Sequence, residues 1–260
     1  MVTSTLPEVR MPTELVHLDV ADGVATITLD SEHNRNALSR QLVTELADRL
    51  TAAGEHPDAK VVVLRSAHRV FCSGADLSEA ASGGMVEGAQ ALVAMQRQIA
   101  TLPQPVVVVL AGPVRAGGLG LVGAADIVLA AESVSFALTE VRLALAPAVI
   151  SLSLLPRLTD RAAADLFLTG RTFDAAEAAR LGLVTRAVPD DALVGELEGV
   201  LADLAAGYPQ GFRETKKLLN HDLVARIDAL GGGVAEQSAA LFGSDEARAA
   251  MLAFLERKRG

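Results

Sequence analysis

The sequence predicts an α/β protein, and three observations carry that prediction. Short apolar runs typical of buried strands, at residues 60–65, 106–110 and 127–130, alternate with helical patterns over the first two-thirds of the chain. The last quarter is almost entirely helical in pattern. Half of the 260 residues are hydrophobic but only 3% are aromatic, so the core must consist mainly of Ala, Val and Leu. These features predict a layered α/β core followed by a helical region.

The chain begins with a predicted tail and a predicted hairpin. Residues 1–12 contain Ser, Thr and two prolines, and we expect them to be disordered. Residues 15–19 and 24–29 alternate apolar and polar side chains, with Asp22-Gly23 between them. Because Asp-Gly is a typical two-residue hairpin turn, these two segments are predicted to pair as antiparallel strands.

Helical spacing recurs through the rest of the chain. Leu42, Leu46 and Leu50 lie four residues apart, and Ser39 before them is a suitable N-cap. The glycines at 231–233 are expected to separate two helices. We divide the chain into a core at 13–206 and a C-terminal helical region at 207–260. Helices are predicted at 38–53, 86–102, 149–158, 161–168, 175–181, 193–206, 211–220, 223–230 and 244–259, a last strand at 182–188 and a mobile loop at 80–88.

Composition argues against several functional classes. The formal net charge of −9 argues against a nucleic-acid or anionic-membrane surface. Cys72 is the single cysteine, so no intrachain disulfide can form, and this fits a reducing cytoplasm. No signal peptide and no apolar run long enough for a membrane span is evident, and the histidines lack metal-ligand spacing. We therefore expect a cytoplasmic protein without a metal.

The clearest candidate site follows the strand at 106–110. Gly117, Gly118 and Gly120 stand between that strand and an apolar helical segment. Glycines at such a junction leave backbone N–H groups uncovered, and the helix N-terminus adds a partial positive charge. Such donors suit an oxyanion that forms during a reaction. Glu140, about twenty residues further on, is a candidate for moving a proton.

A second turn of the same kind follows the strand at 60–65. Gly74 permits a tight turn, and Asp76 can cap a short helix that starts near Leu77. Ala75 between them has no reactive side chain and could act only through its backbone N–H. The sequence thus predicts two sets of backbone donors, each at the end of a buried strand.

Simpler explanations exist for each of these residues. Glycine-rich turns often serve packing alone, and most Glu residues are solvated. The turn at 117–120 matches neither the dinucleotide fingerprint nor the phosphate-binding loop. Cys72 is better explained as a small core residue than as a nucleophile. The residues by themselves therefore indicate an α/β protein with two backbone-donor turns and one candidate acid.

Five segments taken together resemble the enoyl-CoA hydratase/isomerase (crotonase) family in order and spacing. They are 71–77 (FCSGADL), 105–112, 116–118 (AGG), 125–127 (ADI) and 136–147. Residues 35–38 (RNAL) resemble the family's opening signature and 168–170 with 178–184 resemble its later one, so the resemblance covers roughly residues 13 to 258. The resemblance implies a crotonase-like spiral of ββα units with a C-terminal helical region that assembles homotrimers or homohexamers. It also implies an acyl-CoA thioester substrate. No further cofactor is expected, because the thioester itself accepts the negative charge of the reaction.

The resemblance also implies the roles of individual residues. The N–H groups of Ala75 and Gly117 would hold the thioester oxygen, and Glu140 would transfer protons. Phe254 and Lys258 would reach the ligand of a neighbouring subunit. The complete set of residues expected to contact the substrate or its CoA is Arg35, Ala37, Ser73, Gly74, Asp76, Leu77, Arg115, Gly118, Gly120, Phe254 and Lys258.

Gly120 departs from the family's usual pattern. Many hydratases of the family have a Glu at this position and a second Glu at the position of Glu140, whereas its isomerases use only the later one. The segment around Gly120 nevertheless resembles hydratases with the same glycine, including branched glutaconyl-CoA hydratases of leucine breakdown. We rank an enoyl-CoA hydratase first, a Δ3-Δ2 enoyl-CoA isomerase second and a non-catalytic acyl-CoA-binding protein third.

Arg115 offers a clue to the acyl group. It lies two residues before Gly117, in a turn that is expected to line the pocket. Its guanidinium could hold the second carboxylate of a glutaconyl-type substrate through paired hydrogen bonds. The alternative is that Arg115 reaches solvent or Asp76.

Overall fold

The computed structural model describes residues 13–80 and 84–257, so the predicted tail, residues 81–83 of the predicted mobile loop and Lys258 lie outside it. A six-stranded sheet has the order β1-β2-β3-β4-β6-β9, and a three-stranded sheet has the order β5-β7-β8. The strands are β1 (Val16–Ala21), β2 (Val24–Leu29), β3 (Val61–Ser66), β4 (Val106–Leu110), β5 (Val114–Arg115), β6 (Ile127–Ala131), β7 (Ser135–Ala137), β8 (Phe173–Asp174) and β9 (Arg186–Val188).

The predicted hairpin is confirmed. β1 and β2 pair antiparallel from Val16 opposite Leu29 to Ala21 opposite Val24. Asp22 and Gly23 join them with φ angles of 52° and 83°. Two consecutive left-handed residues give the turn whose twist matches that of the flanking strands, which explains why Asp-Gly occurs here.

The remaining strands of the large sheet are parallel neighbours. β2 pairs with β3, β3 with β4, β4 with β6 and β6 with β9 in this way. The carboxyl ends of β3 and β4 therefore meet at one edge of the sheet, the edge at which ligands bind in open parallel sheets. The two glycine turns predicted from the sequence leave the sheet at this edge.

The helices connect the strands and form the C-terminal region. The Ser39 side chain caps α1 as predicted, because its Oγ accepts the Leu42 N–H at 3.3 Å. The helices are α1 (Arg40–Glu55), α2 (Leu77–Ala80), α3 (Met85–Thr101), α4 (Gly118–Ala124), α5 (Ser151–Leu154), α6 (Asp160–Thr169), α7 (Ala175–Arg180), α8 (Leu193–Ala205), α9 (Pro209–Phe242) and α10 (Asp245–Arg257).

The predicted break at the three consecutive glycines is wrong. α9 runs through them as one helix of 34 residues. A Cβ on Gly231 would lie only 2.7 Å from Val93 Cγ1, so this glycine lets α9 pack closely against α3. The packing offsets the roughly 1 kcal/mol that each glycine costs in a helix interior. Despite this length, α9 is not apolar enough to cross a bilayer, and neither is any other helix in the described ranges.

A buried ion pair fixes α9 to the core. Lys216 Nζ lies 2.7 Å from Asp126 Oδ2, and both side chains are largely buried. Asn220 Nδ2 donates to Asp126 Oδ1 at 3.0 Å, and the Val106 N–H donates to Asp126 Oδ2 at 2.7 Å. Because every oxygen of the carboxylate is used, the pair acts as a specific joint between helix and sheet.

Two further predictions need correction. The last strand spans only Arg186–Val188 rather than 182–188, because Gly182 adopts a left-handed φ of 89° that ends α7. The helix predicted at 149–158 is a short α5 followed by a 3-10 turn at Leu155–Arg157, where Pro156 lies. The strands of the small sheet were not predicted, because segments of two or three residues show no periodicity.

Candidate active site

A cavity of about 740 Å³ opens where the carboxyl ends of β3 and β4 meet. Its walls come from the loop before α1, from the turn that precedes α2, from α3, from the turn at Ala116 and Gly117 and from residues 139–150. Ser238, Phe242 and Phe254 of the C-terminal helices complete it. Most of the wall is apolar, as is typical of a small-molecule site with a few polar groups.

The small sheet brings the key segments together. Arg115 of β5 pairs with Ala137 of β7 in parallel register, and the Ala116 N–H donates to Ala137 O at 3.0 Å. On the other side of β5, the Arg115 N–H donates to Cys72 O at 2.9 Å. Three short segments therefore run side by side, and the residues that follow them are gathered at one end of the cavity.

The amides of Ala75 and Gly117 lie next to each other at this end. A Cβ placed on Gly117 would lie 3.9 Å from Ala75 N, and one on Gly74 would lie 3.8 Å from Gly117 N. In the part of the chain that the structure describes, no acceptor takes either N–H. Both residues line the cavity. Two uncommitted N–H donors at one spot form a site that can bind an oxyanion.

Backbone conformation explains why the sequence needs its glycine here. Gly74 has φ +97°, and a Cβ on it would lie 2.9 Å from Ala116 Cβ. Ala116 itself is left-handed at φ 46°. A side chain at position 74 would therefore be strained and would push the two turns apart.

Glu140 is the acid at the same end of the cavity. It opens a 3-10 turn, Glu140–Leu143, that follows β7 directly. Its Oε2 is buried and has no hydrogen-bond partner among the described residues, although the residue as a whole lines the cavity. Loss of water around the carboxyl raises the pKa of Glu140 to about 7. Such a group can accept and release a proton near neutral pH.

The other acids of the lining are placed differently. Asp76 Oδ2 accepts from Asn34 Nδ2 at 3.0 Å, and its Oδ1 accepts the Ser78 N–H at 3.0 Å. Glu79 Oε2 accepts the Arg40 N–H at 2.8 Å, and Glu87 is exposed. Asp76 and Glu79 therefore hold neighbouring backbone and side-chain groups, whereas Glu140 combines burial with a free oxygen.

The structure brings most of the predicted contact residues to the cavity. Ser73 Oγ donates to Asn34 O at 3.0 Å, and the Ser73 N–H donates to Arg35 O at 3.2 Å, so two lining loops hold each other. Phe254 lines the cavity of its own chain. The predicted residues that line the cavity are Arg35, Ala37, Ser73, Ala75, Asp76, Leu77, Gly117, Glu140 and Phe254.

Arg115 does not line the cavity, contrary to the prediction. Its Nη1 donates to Ser135 O at 2.6 Å and to Val114 O at 2.9 Å, and its Nη2 donates to Ser135 Oγ at 2.9 Å. The side chain thus bonds to the neighbouring strand of the small sheet, because successive residues of a strand point to opposite faces. Asp76 is not among these partners, and the Arg115 side chain stays partly exposed to solvent.

Gly74, Gly118 and Gly120 support the cavity without lining it. A Cβ on Gly118 would lie 2.7 Å from Cys72 Cβ, so this glycine packs α4 onto the buried cysteine. Burial raises the pKa of the Cys72 thiol to about 12, which agrees with a core residue and not a nucleophile. A Cβ on Gly120 would lie 3.0 Å from Ile150 Cγ2 and 3.3 Å from Gln96 Cδ.

Sequence reasoning missed several residues of the wall. Leu38, Leu92 and Ala116 line the cavity beside the two amides, and Ser238 and Phe242 approach from α9. For Leu92 the only signal was its place on a helical apolar face. For Ser238 and Phe242 there was no signal, because their approach depends on how the C-terminal helices fold back.

Comparisons with known proteins identify the family of the chain. Residues 19–260 match the family described as enoyl-CoA hydratase/isomerase. A probable enoyl-CoA hydratase of Rhodobacter capsulatus is 32% identical, over 94% of this chain and 95% of the relative. A (7aS)-7a-methyl-1,5-dioxo-2,3,5,6,7,7a-hexahydro-1H-indene-carboxyl-CoA hydrolase of Mycobacterium tuberculosis is 33% identical, over 88% and 87%.

Solved structures give the same result. The crystal structure of an enoyl-CoA hydratase from Mycobacterium avium is 45% identical and superposes with a TM-score of 0.87, over 94% of this chain and 97% of that one. The fold is therefore the crotonase fold expected from the sequence. The family match spans more than nine-tenths of the chain, and the protein belongs to the enoyl-CoA hydratase/isomerase family.

Proposed function

We propose that the protein is an enoyl-CoA hydratase, which adds water across the 2,3 double bond of a 2-enoyl-CoA thioester. One observation carries the proposal: Ala75 and Gly117, whose N–H groups have no acceptor among the described residues, line the same largely apolar cavity as Glu140, whose Oε2 has no partner there. The two amides would bind the thioester oxygen and stabilise the enolate charge. The carboxyl would handle the proton of the attacking water.

The proposed reaction uses Glu140 twice. As a carboxylate it takes a proton from water while the water oxygen bonds to C3 of the substrate. The electrons of the double bond move through C2 onto the thioester oxygen, which the two amides hold. Glu140 then returns the proton to C2, which gives the 3-hydroxyacyl-CoA. The proposal requires no cofactor beyond the CoA of the substrate, because the thioester accepts the charge.

We propose an apolar acyl group rather than a second carboxylate. The described residues that follow Glu140 in the wall, 143–150, are all apolar, and the aromatic residues Phe242 and Phe254 lie in the same lining. The cations of the described lining are Arg35 and Arg40. Arg35 lies in the loop before α1, and Arg40 is the first residue of α1. Arg115 is engaged with Ser135. A carboxylate deep in this cavity would lack a partner, which is costly.

A Δ3-Δ2 enoyl-CoA isomerase is the second candidate, and the packing at Gly120 favours it. Isomerisation moves one proton from C2 to C4 and so needs only one carboxyl. The space beside Gly120, where a second Glu would project, is occupied by Ile150 and Gln96. A protein that binds acyl-CoA without turnover is the third candidate.

The test is an assay in D₂O with crotonyl-CoA, 3-methylglutaconyl-CoA and 3-hexenoyl-CoA. A hydratase removes the absorbance of the conjugated enoyl thioester and forms the 3-hydroxyacyl product. An isomerase instead creates that absorbance from 3-hexenoyl-CoA. Binding without any change in the three esters would leave the third candidate. Faster turnover of crotonyl-CoA than of 3-methylglutaconyl-CoA, with Arg115→Ala affecting both equally, is the result expected for an apolar acyl group.

We further propose that the chain assembles as a homotrimer or a pair of trimers. Leu218 and Leu219 on α9 and Tyr208 just before it are large hydrophobic residues with more than 70% of their surface exposed. Large exposed apolar side chains on one helix offer surface that a second copy of the chain could cover. Light scattering coupled to size-exclusion chromatography gives the mass directly, and a monomer at micromolar concentration would refute the proposal.

A further inference from the structure

Gln96 is a buried polar residue that the proposed reaction does not use. It lies on α3 and is fully buried. Its Nε2 donates to Val149 O at 3.1 Å and to Leu92 O at 3.3 Å, and its Oε1 accepts from Ser153 Oγ at 2.6 Å. Every polar atom of the amide therefore has a partner. A fully satisfied buried amide fixes the elements it joins in one arrangement.

The amide also fills the space beside Gly120. A Cβ on Gly120 would lie 3.3 Å from Gln96 Cδ, 3.5 Å from its Oε1 and 3.0 Å from Ile150 Cγ2. All seven residues of α4 are buried, so a longer side chain at position 120 has no other direction in which to turn. Gln96 and Gly120 are thus complementary in volume.

The same amide holds one end of the wall at 143–150. Val149 and Ile150 line the cavity together with Glu140. At the other end of this wall the Leu145 N–H donates to Glu140 O at 3.0 Å. The backbone carbonyl of Glu140 is therefore hydrogen-bonded to one end of this wall, and the Gln96 side chain is hydrogen-bonded to the other end.

We propose that Gln96 is a positioning residue for Glu140: it anchors the wall at 143–150 against the carboxyl and occupies the place of a second carboxylate beside Gly120. The contacts of Gln96 do not depend on turnover, but its role in positioning Glu140 for catalysis rests on the proposed function. A wall held in this way keeps water from the Glu140 carboxyl, and loss of water is the main cause of its raised pKa. The other charged residues of the described lining, Arg35, Arg40, Asp76, Glu79 and Glu87, do not contribute to that shift.

The test compares the pH dependence of stability in two backgrounds. In each background the free energy of unfolding is measured with and without Glu140→Gln between pH 4 and 9. The pH at which the difference levels off reports the pKa of Glu140 in the folded protein. The backgrounds are Gln96→Leu and the matched control Gln98→Leu, whose side chain lies on the same helix but donates to Ala47 O and Thr51 Oγ1.

The expected result is that the levelling-off pH falls by about one unit or more in Gln96→Leu and stays near 7 in Gln98→Leu. An unchanged value in both backgrounds would overturn the proposal. Should Gln96→Leu fail to fold, Ser153→Ala, which removes one donor to Gln96, replaces it with the same criterion. The stability measurement needs no turnover. Lack of activity on enoyl-CoA esters would therefore refute the proposed function, while the levelling-off pH would still decide the role of Gln96.

Discussion

Arg115 and Ala137 are register partners in the parallel pair of strands β5 and β7, and their pairing assembles the candidate site. Gly117 follows Arg115 by two residues, and Glu140 follows Ala137 by three. The candidate oxyanion donor and the candidate acid are therefore placed by the same short strand pair. This relationship predicts that the site depends on a few precise backbone positions.

Replacement of Glu140 by Gln should abolish turnover but retain acyl-CoA binding. Gln has nearly the same shape but cannot take a proton from water, so kcat should fall by about 10²–10⁴-fold. Steady-state kinetics and calorimetric titration with the 3-hydroxyacyl-CoA product measure the two effects. Glu132→Gln, on an exposed turn after β6, is the matched control and should behave as wild type. Full activity of Glu140→Gln would remove this residue from the mechanism.

The rate should depend on pH through Glu140. Its pKa is raised to about 7 by burial, and the base is the carboxylate form. Hydration should therefore rise about tenfold per pH unit below 7 and level off above it. The profile of kcat/KM against pH for the free enzyme measures this. A flat profile between pH 5.5 and 8 would contradict the assignment.

Glu140 should also lower stability at high pH. Its folded-state pKa of about 7 exceeds the ordinary glutamate pKa of 4.5, so the folded protein binds the proton more tightly than the unfolded chain does. Stability therefore falls as pH rises from 4.5 to 7, by a total on the order of 3 kcal/mol.

Thermal unfolding of wild type and Glu140→Gln at pH 4.5 and pH 8 measures this effect. The melting temperature of the variant relative to wild type should be higher at pH 8 than at pH 4.5, because its amide carries no charge to bury. An equal difference at both pH values would mean that the carboxyl is hydrated in the folded protein.

Gly74 should be intolerant of a side chain. Gly74→Ala requires a left-handed alanine whose Cβ meets Ala116 Cβ at 2.9 Å, so the amides of Ala75 and Gly117 must separate. Loss of one oxyanion donor typically costs about 10²–10³ in kcat. Gly199→Ala on α8, where a Cβ meets nothing within 4 Å, is the control and should keep wild-type kinetics. Equal kcat in the two variants would argue against the paired-amide site.

Gly120→Glu should not create a better hydratase. The new side chain would run into Ile150 and Gln96, and its charge would be buried without a partner. We expect a lower melting temperature and no gain in kcat. Gly195→Glu on α8, where the space is open, should leave the melting temperature within a few degrees of wild type. A rise in kcat for Gly120→Glu would show that the site can accept two carboxylates.

Much of the site was predictable from the sequence, and the reason is local geometry. Gly74, Gly117 and Glu140 stand in short motifs whose spacing is set by adjacent strands, so the motifs identify them. The family and the fold were likewise predictable, because the motifs follow successive strands and their order along the chain is typical of the family. Hairpin and cap residues such as Asp22 and Ser39 were predictable because their conformations depend on immediate neighbours.

The sequence by itself therefore determined the family, the fold class and the candidate acid and amides. Only the tertiary structure decided the direction of Arg115, the continuity of α9 through Gly231 and the burial of Glu140. It also decided that Gln96, far from Gly120 in sequence, fills the space at that glycine. The physical reason is that side-chain direction, close helix packing and loss of solvent all depend on contacts between residues distant in the chain.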